Sequence, residues 1–199
     1  MKDEHITPIR TERRDAAENR QRILNTAHKL FEQHGVEQVS MNQIANEAQI
    51  GSGTLYRRYR NKGEVCLDLI KDHVVLLFED IEAFLEENRG IPASQRFKGL
   101  LHLFIQFREK KSQLLKGVEE SVSSNQSKPL TLGPIYQELH QLFFDLFEEM
   151  KGSNPSRPDS IFLADMMLRA LSSESYLFQR EVRGYSPEII LEQLCLMFL

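Results

Sequence analysis

The stretch SMNQIANEAQIGSGTLYRRYRNK, residues 40–62, decides how the N-terminal part of this chain folds. It predicts two short helices joined by a tight turn at Ile50-Gly51, and the second helix ends in a run of positive charge. A short basic helix that follows a helix and a turn is typical of a motif that enters the major groove of DNA. The segment from Gly51 to Gly63 has no acidic residue and holds Arg57, Arg58, Arg60 and Lys62, interleaved with Tyr56 and Tyr59.

The composition is that of a soluble globular protein, but its charge is unevenly distributed. The 199 residues carry a net charge of −4, yet residues 1–64 hold 11 basic and 9 acidic residues. Residues 65–199 hold 14 basic and 20 acidic residues. A basic N-terminal part on an acidic body predicts that the N-terminal part meets phosphate.

The start of the chain and its cysteines indicate where the protein works. The opening MKDEHITPIRTERRD is too polar for a signal peptide, and the longest apolar run, Leu194 to Leu199, is far too short to span a membrane. Only two cysteines occur, Cys66 and Cys195, and their spacing is not that of a pair. This favours a reducing compartment, so we expect a cytoplasmic protein with no disulfide framework and no membrane contact.

Apolar periodicity together with helix start and stop signals predicts an all-α chain. Residues 1–14 are expected to form a flexible basic arm, and Asp15 is expected to begin the first helix, which ends at a left-handed Gly35. Ser40 with Gln43, and Asn61 with Glu64, are capping pairs that begin two later helices. One further helix is predicted to begin at a Ser94 cap and to run to about Lys111, and residues 121–134 are predicted to be a loop or a weak helix end. The remaining helices are predicted at about 52–59, 134–150, 159–183 and 186–199.

The second helix of the motif carries the side chains expected to meet DNA. Gly53 has no side chain, so the backbone can approach a duplex closely, while Ser52 and Thr54 suit base edges or phosphates. Arg57 is expected to read guanine in the major groove. The alternative is a basic surface that only meets solvent. The other expected contacts are Tyr56 and Arg58 on the same helix, Arg60 just after it, Ser40 and Met41 at the start of the preceding helix, and Lys62 at the start of the following one.

The spacing from Arg22 to Lys62 is more specific than a general helix-turn-helix pattern. The segments RILNTAHKLFEQHG, VSMNQIANEAQI and GTLYRRYRNK resemble the TetR family of bacterial transcriptional regulators, over about residues 15–70. The resemblance implies a homodimeric repressor with a three-helix DNA-binding domain, here 15–62, and a helical ligand-binding and dimerisation domain, here 63–199. It assigns the family's DNA contacts to Ser40, Ser52, Gly53, Thr54, Tyr56, Arg57 and Lys62.

Three positions depart from the family's pattern. The family usually has glycine where this chain has Gln49, so Gln49 is expected in a positive-φ conformation. Gly51 stands where a serine usually caps the recognition helix, which leaves a weaker cap and one phosphate contact fewer. Tyr59 replaces a common phenylalanine and keeps its packing.

The last two predicted helices carry more apolar residues than one buried face needs. Nine of the thirteen residues from Pro187 to Leu199 are apolar, and the helix at 159–183 is similar. The surplus predicts a second apolar surface covered by a partner subunit, and the family's dimerisation through its last two helices favours that interpretation. The alternative is a helix buried within its own subunit. The expected interface residues are Leu168, Leu171, Ile190, Leu194 and Phe198.

The C-terminal part is rich in aromatic residues on helical faces. Core packing is the simplest explanation for each of them, but a subset could line an apolar pocket for a small apolar or amphipathic molecule. Neither an HxxxH nor a CxxC spacing is present, so no metal site and no cofactor are expected. The candidate pocket residues are Phe104, Phe107, Tyr136, His140, Phe144, Phe162 and Tyr176, with His102, Glu119 and Glu174 as further polar candidates.

Together these features favour a repressor that a small molecule releases from a palindromic double-stranded DNA operator. A second hypothesis is a DNA-binding protein of the same fold whose body binds another protein. An enzyme is a third hypothesis, but the sequence shows no nucleophile–base motif, phosphate loop or metal signature.

Overall fold

The computed structural model describes residues 9–123, 134–152 and 158–199, and all the regular secondary structure in these residues is helical. This confirms the predicted all-α fold. A π-helical turn, Phe178–Val182, directly follows α8. In chain order the α-helices of the described residues are α1 Ile9–His34, α2 Met41–Glu47, α3 Ser52–Arg58, α4 Lys62–Glu87, α5 Ala93–Ser123, α6 Pro134–Lys151, α7 Ser160–Ala170, α8 Ser173–Leu177 and α9 Pro187–Phe198.

Most helix ends form where local sequence chemistry predicts them. The Ser40 hydroxyl accepts a hydrogen bond from the Gln43 N–H at 3.1 Å, and the Asn61 side chain accepts one from the Glu64 N–H at 3.0 Å. Each side chain satisfies a backbone donor that the first helical turn would otherwise leave unpaired. Gly35 ends α1 with a φ of 77°, a left-handed conformation that glycine adopts without steric cost.

Three predicted helix limits are wrong. Helix α1 begins at Ile9 and not at Asp15, since neither proline nor glycine interrupts this polar stretch, and residues 1–8 of the predicted arm lie outside the described residues. Helix α5 begins at Ala93, which places Ser94 inside the helix, and it continues past Lys111 to Ser123. The rest of the predicted loop, residues 124–133, lies outside the described residues.

The helix predicted over 159–183 is broken in the middle. It divides at Leu171-Ser172, where the Ser172 hydroxyl accepts a hydrogen bond from the Ser175 N–H at 3.3 Å and caps a new helix. A serine within an apolar periodic stretch was the available signal, because serine side chains compete for backbone donors and favour helix starts.

The buried residues form two hydrophobic cores. The first core, which we call the head core, joins α1, α2 and α3 to the start of α4, including Val65 and Cys66. We call this part of the chain, with its loops, the head. The second, the body core, joins the rest of α4 to α5–α9, and we call these helices the body. The body core contains Phe97, Phe143 and Phe147, whose rings pack in tilted and stacked pairs. Helix α4 therefore contributes to both cores and connects them covalently.

Helix α5 also connects the two cores, because it bends. Lys111 has non-helical dihedral angles, φ −126° and ψ 19°. Beyond the bend Leu114 packs against the head core, and a Cβ added to Gly117 would lie only 2.6 Å from Cys66 Sγ. Lys116 forms an ion pair with Glu37 of the head. The second half of α5 thus touches the loop between α1 and α2 and the start of α4 directly.

Candidate functional site

The turn between α2 and α3 has the geometry that the sequence predicts. Gln49 has a φ of 53°, a left-handed conformation that is uncommon for a residue with a side chain. The following Ile50 N–H donates to the Ala45 carbonyl at 3.0 Å. Gly51 begins α3 without a side-chain hydrogen bond, as expected for glycine at a cap, and Leu55 anchors the helix in the head core.

Most of the predicted contact residues on α3 lie on an exposed face of that helix. Ser52, Tyr56, Arg57 and Arg58 are exposed, and Thr54 is half-buried. A Cβ added to Gly53 would meet nothing within 4 Å among the described residues. Packing within this part of the chain therefore does not require glycine there, which fits a backbone that must approach something outside the subunit.

The arginines of this face are held only weakly by the chain itself. The Arg57 guanidinium lies 3.4 Å from the Thr54 hydroxyl, and the Arg58 guanidinium lies 3.4 Å from the Ala16 carbonyl. Both distances are long for hydrogen bonds that involve a charged donor. Their donors remain accessible to phosphate oxygens or guanine.

Two predicted contact residues have other roles. Met41 is only 8% exposed and packs in the head core, because it occupies the buried first turn of α2. Lys62 points back to the loop between α1 and α2, where its ammonium group donates to the carbonyls of Val36, Glu37 and Val39, the last two at 3.1 and 3.0 Å. An ammonium group has three N–H donors, so none remains for a phosphate in this arrangement.

Asp68 on α4 holds three helices of the head together. It accepts two hydrogen bonds from the Arg20 guanidinium on α1, at 2.9 and 2.5 Å, and one from the hydroxyl of Tyr59 after α3, at 2.5 Å. Lys71 adds an ion pair at 3.1 Å. Partial burial alone would raise the pKa of Asp68, but the hydrogen bonds from Arg20, Tyr59 and Lys71 outweigh it and hold the pKa well below its usual range.

Asp68→Asn is expected to destabilise the head by about 2–3 kcal/mol at pH 7, because it removes charge-assisted hydrogen bonds to Arg20. The stabilisation is fully present above the carboxyl's unfolded pKa of about 3.9 and is lost as the pH falls through the lower folded value. Urea unfolding of wild type and Asp68→Asn at pH 7 and in steps below pH 4 should therefore show a gap that narrows with acid. The exposed Asp72→Asn removes the same charge and should leave stability nearly unchanged. Equal stability of all three proteins at pH 7 would contradict this role.

The predicted pocket residues do not share one environment. Phe104, Phe107, Tyr136 and Tyr176 are buried in the body core, and Phe144 is half-buried against it. His140 is half-buried and lies 3.2 Å from Asp165, which is an ordinary surface pair. Phe162 is 56% exposed on α7, so it does not line the body core. Its position in an apolar helix is what made it a candidate for the pocket.

A buried polar cluster lies among the buried aromatic side chains, and sequence reasoning found only part of it. Arg108, which was not a candidate, is 1% exposed and pairs with Glu119 at 2.9 Å. The Arg108 guanidinium also donates to Tyr136 and Ser173. An arginine inside the apolar stretch LHLFIQFRE was the available signal, since a charged residue is almost never fully buried unless it is paired.

Two members of the cluster, Glu119 and Ser173, line a cleft between the second half of α5 and the break between α7 and α8. The cleft has a volume of about 430 Å³. Glu174, one of the predicted polar candidates, lines it. His102 lies elsewhere, in a cleft of about 370 Å³ beside α9. The first cleft is lined by Lys116, Glu119, Glu120, Arg169, Ser172, Ser173, Glu174 and Leu177.

The predicted interface residues lie on the inward faces of the last helices. They are all buried in the body core of their own subunit, so the alternative of burial within the subunit holds for these residues. The periodicity indicates two apolar faces on α9, and the predicted interface residues of α7 and α9 lie on the inward faces. The five inward residues are Leu168, Leu171, Ile190, Leu194 and Phe198. The outward apolar residues are Ile161, Phe162 and Met166 on α7, and Ile189, Leu196, Met197 and Leu199 at α9.

Residues 9–123, 134–152 and 158–199 contain neither a membrane-spanning helix nor a metal-binding cluster. Within these ranges no helix has the length and apolar character needed to cross a membrane. The same residues contain no group of three or more histidine, cysteine, aspartate or glutamate side chains arranged to hold a metal ion. Burial raises the pKa of Cys66 to about 12, so its thiol stays protonated near neutral pH.

The structure resembles solved repressors over nearly its whole length. Thermus thermophilus FadR, a TetR-family transcriptional repressor solved in complex with lauroyl-CoA, has a TM-score of 0.66 and 17% sequence identity, covering 90% of this chain and 92% of FadR. Native NalD of Pseudomonas aeruginosa, the secondary repressor of the MexAB-OprM multidrug efflux pump, has a TM-score of 0.58 and 19% identity, covering 92% and 96%. At these identities the likeness supports the fold.

Sequence comparison supports the family directly. The family described as bacterial regulatory proteins, tetR family, matches residues 23–69. An HTH-type transcriptional regulator of Staphylococcus aureus (strain bovine RF122 / ET3-1) is 35% identical over 184 residues, which cover 88% of this chain and 90% of the relative. A second such regulator, from strain USA300, is 35% identical over 179 residues with the same coverage. The chain therefore belongs to the TetR family and is a DNA-binding transcriptional regulator of the helix-turn-helix type.

Proposed function

We propose that this protein is a repressor that binds a palindromic operator as a homodimer and leaves it when a small apolar or amphipathic molecule binds the body. The observation that carries the proposal is the exposed face of α3, where hydroxyl groups and weakly held guanidinium groups lie beside an uncrowded Gly53. Two solved relatives support the repressor assignment, and one of them, FadR, was solved with lauroyl-CoA.

We assign base reading to Arg57 and phosphate contacts to the groups around it. An arginine at the centre of a recognition helix can bond guanine O6 and N7 together. Hydroxyl and guanidinium groups on either side suit phosphate oxygens, which fix the position of the helix without reading sequence. Lys62 acts indirectly in this proposal, by holding the loop between α1 and α2 in place. The proposed phosphate contacts are Ser40, Ser52, Thr54, Tyr56, Arg58 and Arg60.

We place the homodimer interface on the outward apolar faces of α7 and α9. Leu196 is 79% exposed and Met197 is 73% exposed in the single subunit, although both are large apolar side chains. Exposed apolar groups at helical spacing mark a surface that a partner covers. A two-fold dimer would present its two α3 helices to a palindrome, with successive major grooves about 34–36 Å apart.

Substitution of two arginines on α3 tests the DNA-binding part of the proposal. Arg57→Ala is expected to cost about 1–3 kcal/mol on a selected palindromic duplex and to relax preference at one base position. Arg58→Ala is expected to weaken binding equally on palindromic and scrambled duplexes and to lower the salt slope by about 0.9.

Fluorescence anisotropy between about 50 and 200 mM salt measures both effects. Lys98→Ala, an exposed residue of the body, removes the same charge and should change neither affinity nor slope. If Arg57→Ala and Arg58→Ala both match this control, α3 does not enter the major groove as proposed.

A further inference from the structure

The loop between α1 and α2 is held by two other helices of the chain. From α4, the Lys62 ammonium group donates to three of its backbone carbonyls. From α5, Lys116 forms an ion pair with Glu37 of the loop. Val36 and Val39 are each 1% exposed, so the loop is also packed into the head core. The position of the loop therefore depends on both α4 and α5.

Gly117 brings α5 into close contact with the loop and with α4 together. A Cβ added to Gly117 would lie 2.6 Å from Cys66 Sγ on α4 and 2.8 Å from a methyl carbon of Val36 on the loop. Cβ atoms essentially never come so close to other heavy atoms, so a side chain here would displace one of these groups or α5 itself. Glycine is unfavourable inside a helix, and its presence here fits an approach that leaves no room for a side chain.

Gly117 faces the joint that Lys62 holds together. Val36 belongs to the loop, and Cys66 lies one turn beyond Lys62 on α4, so Lys62 ties together the two elements that Gly117 touches. A shift of α5 toward the head would press on both, and a shift away would withdraw support from both. Because Val36 and Cys66 are fully buried, no empty volume is available to absorb such a shift.

The loop leads directly into the proposed DNA-binding face. Ser40 follows the loop, caps α2 by accepting from the Gln43 N–H, and is one of the proposed phosphate contacts. Met41 packs the first turn of α2 in the head core, and the far end of α2 carries the turn that presents α3. A displacement of the loop therefore displaces the start of α2, and α3 with it.

The same half of α5 is bonded to the body. Two residues after Gly117, the buried Glu119 accepts hydrogen bonds from α6 and from α8. Their donors are the Tyr136 hydroxyl and the Ser173 backbone N–H. Arg108, before the bend, pairs with the same carboxylate at 2.9 Å. A rearrangement of these body helices is therefore carried to the part of α5 that touches the loop.

We propose that Gly117 and Lys116 are positioning residues for DNA binding, which act through the loop between α1 and α2 and make the placement of α2 and α3 depend on the second half of α5. This connection is additional to the covalent one through α4. A small molecule that rearranges α5, α6 or α8 changes operator affinity along this route. The inference rests on the proposed function, because it concerns how the body controls the proposed DNA-binding face.

Moving one buried atom across the contact tests the proposal without any small molecule. Gly117→Ala adds a carbon against Cys66 Sγ and should weaken binding to a selected palindromic duplex about tenfold, a usual size for coupling between two sites. Cys66→Ala removes that sulfur and should cost much less by itself. Cys66→Ala/Gly117→Ala nearly conserves the buried volume and should recover most of the affinity that Gly117→Ala loses. Fluorescence anisotropy measures affinity, while circular dichroism and light scattering establish that each variant is folded with the wild-type mass.

Gly99→Ala is the matched control for these variants. Gly99 lies on the same helix before the bend, and a Cβ added there would meet the Phe84 ring of the body instead of the loop. This variant should be less stable than wild type but, when folded, should bind the duplex with unchanged affinity. A Gly117→Ala protein with wild-type affinity would overturn the proposal. An equal loss of affinity in Gly99→Ala would do the same, as would a loss in Gly117→Ala that Cys66→Ala does not reduce.

Lys116→Met tests the same route at a partly exposed residue outside both cores, so it decides the question even if Gly117→Ala does not fold. It should speed amide hydrogen exchange in residues 36–40 and weaken binding to the palindromic duplex. Lys98→Met removes the same charge from the exposed surface of the first half of α5 and should do neither. Identical exchange and identical affinity in the two variants would refute the proposal.

Wild-type binding to the palindromic duplex separates this inference from the proposed function. Absence of binding by wild type would refute the proposed function itself. Binding by wild type that neither Gly117→Ala nor Lys116→Met weakens would refute only the control through α5 and would leave DNA recognition by α3 intact.

Discussion

Leu196→Glu is expected to convert a dimer into a folded monomer, whereas Leu194→Glu is expected to unfold the chain. Leu196 is 79% exposed in the single subunit, so a charge there meets water once the partner leaves. Leu194 is 8% exposed within the body core, so a charge there is buried without a partner. An isolated buried charge costs about 3–5 kcal/mol or more, a large part of the stability of a typical domain.

Light scattering and circular dichroism distinguish the two outcomes. Leu196→Glu should keep its helical signal, scatter as a monomer of about half the wild-type mass, and lose operator affinity steeply, because a monomer contacts only one half-site. Leu196→Ala shortens the side chain without adding charge and should remain mostly dimeric at high protomer concentration. A folded, dimeric Leu196→Glu protein would exclude this face and leave Val75 and Leu76 on α4, both more than half exposed, as the next candidate surface.

The contrast between Leu194 and Leu196 also shows what periodicity can predict. The nine apolar residues after Ser186 exceed what one buried face needs, and the structure shows apolar residues on both faces of α9. Periodicity sorts residues by face, but it does not say which face meets the rest of the subunit. That choice depends on where α9 packs against α5 and α6, which is not encoded in a pattern of thirteen residues.

The structure of the head was easier to predict from the sequence than that of the body, because the residues that determine its helix ends and its turn lie close together in the chain. Capping side chains act within three residues of the helix they begin, and the positive φ of Gln49 was expected from the glycine that the TetR family usually has at that position. The arrangement of Lys62, by contrast, depends on residues distant in the sequence. A lysine at a helix start suggests a phosphate contact, yet its three acceptors are the carbonyls of Val36, Glu37 and Val39, more than twenty residues earlier.

The pair of Arg108 and Glu119 was beyond local reasoning altogether. In a straight helix, residues eleven apart are separated by about 16 Å along the axis, farther than an arginine and a glutamate side chain reach together. Their 2.9 Å contact exists because α5 bends at Lys111, and no proline or glycine lies at the bend. The bend and the pair therefore stabilise each other. Neither of them can be predicted from the sequence unless the fold is known.

Glu119→Leu is accordingly expected to destabilise the protein by about 3–5 kcal/mol, because it leaves the Arg108 guanidinium buried without a counter-charge. It also removes the acceptor of the Tyr136 hydroxyl and of the Ser173 backbone N–H. The double variant Arg108→Met/Glu119→Leu is expected to recover part of this loss, since it removes the unpaired buried charge but still leaves the Tyr136 hydroxyl and the Ser173 backbone N–H without their acceptor.

A double-mutant cycle tests this expectation. It compares the free energies of unfolding in urea of wild type, Glu119→Leu, Arg108→Met and the double variant, all at one fixed protomer concentration. If the pair acts as a unit, the two single losses add to much more than the loss in the double variant. Additive losses would mean that Arg108 and Glu119 contribute separately and that the bend does not depend on their contact. A double variant that regains stability but binds operator with altered affinity would show that the pair sets the position of the second half of α5, and through Lys116 and Gly117 the position of the head.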